Sequence, residues 1–175
     1  RSQNQSWISG LGAGLLGDPW SGSLKLHQAN SVWLRHTVGL ADRLTDAEPL
    51  TAVEDGLPNS LTQAIEAYGL KYFKLKVGGN LETVIERLAK IESVLSKVQD
   101  YKVTLDGNET FQDVESLSVF VQALTKHEAT RRLLERTLLI EQPLPRAIAL
   151  EEKMPPMPLN IPVILDESDD HPDVL

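Results

Sequence analysis

The chain has 175 residues, 41% hydrophobic and 24% charged, the make-up of an ordinary globular protein with one sizeable core. A net charge of −8 argues against a nucleic-acid partner, which needs a basic face to release counterions from phosphates. No apolar run approaches the roughly 18 residues needed to cross a bilayer, and the absence of cysteine excludes disulfides, thiolate catalysis and cysteine-bound metals. A cytoplasmic protein with neither membrane nor nucleic acid as partner is expected.

In chain order, Arg1 stands where an initiator methionine would, which predicts that the natural N-terminus lies upstream. Residues 1–30 are rich in Gly and Ser, contain Trp7 and Trp20, and show no clear period. They read as an irregular arm or as the remnant of a preceding domain. Gly12, Gly14 and Gly17 spell GxGxxG, a dinucleotide-binding string, but WIS before it is a poor strand, and Asp18, Pro19 and Gly22 break the helix that should follow. A glycine-rich loop is the better reading.

From about residue 32, short β-rich runs alternate with segments of helical period, the pattern of parallel βα units. The runs are SVWLRHTVGL, YFKLKV, YKVTLD, TLLIEQ and PVILDE. Strands of a parallel sheet are buried on both faces, so these should be almost continuously apolar, with charges at their C-terminal ends.

A helix before YFKLKV is delimited locally: Ser60 and Gln63 have capping-box spacing, Leu61, Ala64 and Ile65 form a stripe, and Gly69 ends it. The next opens near Asn80 and lines up Leu81, Val84, Ile85, Leu88, Ile91, Leu95 and Val98. A third starts at Asp113 and turns Val114, Leu117, Phe120, Val121 and Leu124 inward; the polar stretch from Lys126 to Arg136 extends or interrupts it. A short helix around Ile148 to Lys153 is stopped by Pro155, Pro156 and Pro158.

Lys76, Asp106, Glu141 and Asp166 each stand at the end of a strand-like run, separated by roughly 25 to 35 positions, about one βα unit. In a parallel barrel the C-terminal strand ends converge on one face, so this linear spacing becomes a spatial cluster. Three carboxylates in one cleft repel one another and need a cation, and hard oxygen ligands suit Mg²⁺. Lys74 and Lys76 share a strand face because the side-chain period is two. A lysine beside a second ammonium and a divalent cation should have a lowered pKa, useful for removing a proton. Lys76, nearer the strand end, is the candidate base.

The ordered set KLK, LDGN, IEQP and LDES resembles the barrel of the enolase superfamily, in the mandelate racemase and muconate-lactonising group, with the aspartate of LDES favouring the muconate-lactonising branch. The resemblance spans about residues 32 to 170. It implies an α/β fold, a TIM barrel that is incomplete here, with about five of eight strands in residues 31–175 and residues 1–30 as an arm or a remnant of the capping domain. It implies further that Asp106, Glu141 and Asp166 bind Mg²⁺, that Lys76 exchanges the proton α to a substrate carboxylate with support from Lys74, and that Asn108 lies in the metal's outer shell.

The implied reaction passes through a metal-stabilised enediolate, as in a racemase or epimerase, a cycloisomerase or a dehydratase. A small carboxylic acid would be the substrate and a homo-oligomer the working form. The capping domain and a second lysine on the sixth strand should lie outside this chain. The rival reading is a truncated, inactive barrel serving as a binding or structural module. His27, His36, His127 and His171 have no metal-ligand spacing, and Glu167, Asp169 and Asp170 are weaker ligand candidates than Asp166 because alternate strand residues face opposite ways.

Overall fold

The computed structural model describes residues 31–49, 55–151 and 153–168. The glycine string, Trp7, Trp20, His27, His171, Asp169 and Asp170 lie outside them. The described residues from Trp33 to Ser168 belong to one compact unit. Its elements are β1 (Arg35–Val38), α1 (Leu61–Tyr68), β2 (Tyr72–Lys76), α2 (Leu81–Leu95), β3 (Lys102–Asp106), α3 (Val114–Lys126), α4 (Glu128–Glu135), β4 (Thr137–Glu141), α5 (Arg146–Ala149), a 3-10 turn (Pro158–Asn160) and β5 (Val163–Ile164).

Helix α1 starts where Ser60 Oγ accepts from Gln63 N at 3.2 Å and stops at Gly69, whose φ of 60° only glycine adopts without strain. The return bond of the expected capping box goes one residue further back, from Asn59 N to Gln63 Oε1. Helix α2 begins at Asn80, which caps the amides of Glu82 and Thr83, and it buries Val84, Leu88, Ile91 and Leu95 as its period requires. Helix α3 begins with a reciprocal box between Asp113 and Ser116.

The polar stretch after α3 interrupts the helix. His127 takes an extended conformation, and Thr130 Oγ1 turns back to Leu124 O at 2.7 Å, so α4 starts afresh and buries Leu133 and Leu134. The short helix expected at 148–153 comes earlier, at 146–149, because Pro145 favours an extended entry and Arg146 N is captured by Glu109 Oε1 at 2.9 Å. One charged residue of α2 faces inward: Glu92 is buried, and Arg132 holds it with two bonds of 3.0 and 3.2 Å.

The five strands form one parallel sheet in sequential order, β1 to β5. Right-handed crossovers in an unreversed order place all the connecting helices on the same face. A doubly wound sheet would reverse direction and use both faces. The fold is therefore α/β with a singly wound parallel sheet.

That topology explains why the strands are less uniformly apolar than expected. In β2, Phe73 and Leu75 are fully buried while Tyr72, Lys74 and Lys76 between them are only partly so. The helix side carries Val38, Phe73, Leu75, Val103, Leu105 and Ile140, all in one core with the apolar stripes of the helices. The opposite face carries Arg35, Thr37, Lys74, Lys76, Thr104, Asp106 and Glu141, as the register requires. No described helix is long and apolar enough to cross a membrane.

Leu105 lies on the central strand and is fully buried, so Leu105→Ala should cost about 2–5 kcal/mol through lost burial and the cavity left behind. Urea unfolding would register this as a lower midpoint; a change below about 1 kcal/mol would mean that the helix face of the sheet is not the core.

Candidate active site at the strand ends

The strand register places Lys76, Asp106 and Glu141 in one cross-strand row, with Lys76 beside Asp106 and Asp106 beside Glu141. Lys74 is two residues back on the same face of β2. The ends of β3 and β4 approach so closely that a Cβ on Gly107 would lie 2.7 Å from Pro143 Cα, which excludes any larger residue there without moving backbone. Gly107 N donates to Glu141 O at 2.9 Å and Phe111 N to Pro143 O at 3.0 Å, stitching the LDGN and IEQP loops together.

Asp106 is the most enclosed member, with its side chain 1% exposed. Its Oδ2 lies 2.7 Å from Lys74 Nζ and 2.6 Å from Lys76 Nζ, while Oδ1 accepts from Asn108 N at 3.0 Å. Lys74 Nζ also reaches Glu141 Oε1 at 2.6 Å. Lys76 Nζ donates in addition to Asn108 Oδ1, and Asn108 Nδ2 donates to Glu167 Oε1 at 2.6 Å.

Arg35 adds a third cation, with its Nη1 3.2 Å from Thr104 Oγ1 and 3.5 Å from Glu141 Oε2. That contact joins the first strand to the fourth. Three strand spacings of about 4.8 Å would put them about 14 Å apart in a flat sheet, with side chains rising in parallel. For Arg35 to meet Glu141 the sheet must curl, with the charged face inside.

Burial disfavours the charge on Lys74, but its bonds to Asp106 and Glu141 outweigh this and raise its pKa above the ordinary lysine value. Burial likewise pushes Asp106 upward, and the bonds from Lys74, Lys76 and the Asn108 amide overcome it, leaving the carboxyl below its ordinary value. Lys74 has two carboxylates for neighbours, and they set the direction of its shift.

No family model, curated protein or solved structure matches this chain. The site's chemistry must be read from its own residues.

The structure thus brings together Lys74, Lys76, Asp106, Glu141 and Asn108. It does not bring in the Asp166 side chain, which is exposed at the turn after β5; the Asp166 backbone is nonetheless tied down, its N–H donating to Gln142 Oε1 at 2.9 Å. Among the described residues no group of three or more His, Asp or Glu is gathered closely enough to hold a metal ion. Two of the three expected ligands, Asp106 and Glu141, do converge: a single cationic atom, Lys74 Nζ, touches a hard oxygen donor of each and occupies their common point.

Sequence reasoning overlooked Arg35, Thr104, Gln142 and Ser168. Arg35 had a readable signal, since it precedes Thr37 by two in a strand-like run, but its partner on β4 depends on the curl. Glu167 was discounted on strand alternation, yet β5 ends at Ile164, so that rule does not apply at 167. Left-handed backbone also marks the region: Asn108, Glu109 and Gln142 have φ of 42°, 63° and 33°. Non-glycine residues in that conformation concentrate where surrounding structure over-determines them, often at functional sites.

The pKa shifts set a pH dependence. The depressed folded value of Asp106 contributes stability that is complete above the ordinary carboxylate range and is lost as pH falls through the folded value; the raised value of Lys74 contributes stability that is complete below the ordinary lysine value and is lost as pH rises through the folded one. Urea midpoints measured across the acid range should therefore fall more steeply for the unmodified chain than for Asp106→Asn. Equal slopes would show that Asp106 does not contribute.

Proposed function

We propose that this chain is the N-terminal part of a (β/α) barrel of the enolase-superfamily type, and that its strand-end cluster removes the proton α to a substrate carboxylate. The observation that carries this reading is the convergence of an Asp106 and a Glu141 oxygen on one cationic atom, Lys74 Nζ, with Lys76 on the same strand face. The singly wound strand order and the curl demanded by Arg35 and Glu141 support a barrel over an open sheet.

Asp106 and Glu141 would hold Mg²⁺, with Asp166 completing the set only when its exposed side chain turns in from the LDES loop. When bound, the ion supplies charge stabilisation for the electrons that proton removal leaves on the substrate carboxylate. The protein's own contribution is division of labour between the lysines. Lys76 is at the strand end with its side chain 29% exposed, against 14% for Lys74. It is the nitrogen that can meet a substrate carbon and take its proton. Lys74, bonded to both carboxylates, keeps them in place and supplies positive charge beside the reacting carbon. Asn108 orients Lys76 through its side-chain oxygen.

The substrate class is a small carboxylic acid, and the outcome is racemisation or epimerisation, cycloisomerisation or elimination. A cytoplasmic homo-oligomer is the proposed working form, an assembly that would cover the edge strands β1 and β5. The same five-strand sheet favours a second reading, a truncated barrel that is inactive and serves as a binding or structural module.

Calorimetric titration with Mg²⁺ separates the two. Asp106→Asn and Glu141→Gln should each weaken binding by at least about tenfold; equal affinity in all three proteins would remove the metal site. With a substrate in hand, Lys76→Ala should abolish exchange of the α-hydrogen with solvent deuterium while Mg²⁺ still binds. Continued rapid exchange in that variant would exclude Lys76 as the base.

A further inference from the structure

Gln142 follows the ligand candidate Glu141 and is wholly buried, at 0% exposure. All four hydrogen-bonding positions of its carboxamide are used. Oε1 accepts from Asp166 N at 2.9 Å and from Ser168 N at 3.1 Å, and Nε2 donates to Leu144 O at 2.8 Å and to Ser168 Oγ at 2.6 Å. Its backbone is also engaged on both sides: N donates to Ile164 O, and O accepts from Glu109 N, each at 2.9 Å.

A glutamate would lack both donors and bring a charge into a buried place, and an apolar residue of the same size would leave the partner amides unpaired. The left-handed φ of 33° shows that the backbone at Gln142 is held by its surroundings rather than by its own preference.

The segment held by this amide is LDES. Strand β5 has only two residues and ends at Ile164, so the backbone beyond it has left the ladder. Gln142 Oε1 takes the place of ladder acceptors for Asp166 and Ser168. The seated segment then delivers Glu167 Oε1 to Asn108 Nδ2 at 2.6 Å, and Asn108 in turn accepts from Lys76. Glu167 Oε2 is buried without a hydrogen-bond partner among the described residues. An unpaired buried carboxylate oxygen is costly, so something else must hold the segment there.

We infer that Gln142 is the positioning residue of the LDES segment: its carboxamide seats the backbone of Asp166 and Ser168, and with it the Glu167 side chain, beside the row of Lys76, Asp106 and Glu141, from a strand too short to do so. The seating rests on geometry alone; its purpose, presenting the third carboxylate to a cation, rests on the Mg²⁺ reading above.

The test uses the full chain, unmodified and as Gln142→Met and Ser168→Ala. In metal-free protein, amide hydrogen exchange at Asp166 and Ser168 should accelerate by about tenfold or more in Gln142→Met, with Leu88 in α2 still protected, and by less in Ser168→Ala. Mg²⁺ titration should show affinity reduced about ten- to hundredfold in Gln142→Met, the range seen when partners that orient metal ligands are removed. If Gln142→Met fails to fold, Ser168→Ala, which removes a single acceptor, carries both measurements in the same directions.

Unchanged exchange in both variants would overturn the seating. Faster exchange with undiminished Mg²⁺ affinity would overturn the positioning role. An unmodified chain that takes up no Mg²⁺ would overturn the metal reading instead, and the exchange result would then decide the seating by itself.

Discussion

Asp106 and Glu141 occupy register-paired positions on adjacent strands, and both are buried. Two carboxylates so placed cannot remain ionised without a cation between them. In this structure Lys74 is that cation, bonded to both at 2.7 and 2.6 Å. Much of the surrounding architecture follows from this requirement. Lys74 must lie on the same sheet face as Asp106, which the period of β2 and the register of β2 with β3 ensure. Lys76, two residues on, is then drawn to the same oxygen, and Arg35 compensates the far side of Glu141. The charged face is balanced by its own residues and still presents oxygens that converge.

The balance explains how a sheet can be apolar on one face and so polar on the other. Helices packed through Leu88, Ile91, Leu117, Phe120 and Leu133 bury Phe73, Leu75, Leu105 and Ile140, each of which contributes about 1.5–3 kcal/mol by leaving water. The opposite face cannot add to that core while it carries charges, and it pairs those charges with one another instead. Apolar burial and charge are divided between the two faces of the same strands, residue by alternate residue.

Loop structure carries the second half of the site. The strand ends of LDGN and IEQP are drawn together where Gly107 lacks a Cβ, and the LDES turn is fastened to them through Gln142. Of the three motif loops, LDES is the only one not continued from a long strand. Its carboxylates accordingly depend on side-chain bonds, and Asp166 and Glu167 take different places: one exposed, the other turned toward Asn108.

The sequence by itself determined the alternation of strands and helices, the starts of α1, α2 and α3 from Ser60, Asn80 and Asp113, and the grouping of Lys74, Lys76, Asp106 and Glu141. These follow from local capping chemistry, from periods of 3.6 and 2, and from regular βα spacing, all of which are written in neighbouring residues. Only the tertiary structure decided that helix packing leaves one sheet face to charges, that Arg35 reaches across the curl to Glu141, that the direction of the Lys74 shift is upward, and that Gln142 rather than the strand seats LDES. Each of those depends on distances between residues 20 to 100 or more positions apart, such as the 26 separating Gln142 from Ser168 and the 106 separating Arg35 from Glu141. No local pattern encodes them, because they arise only when the chain has closed on itself.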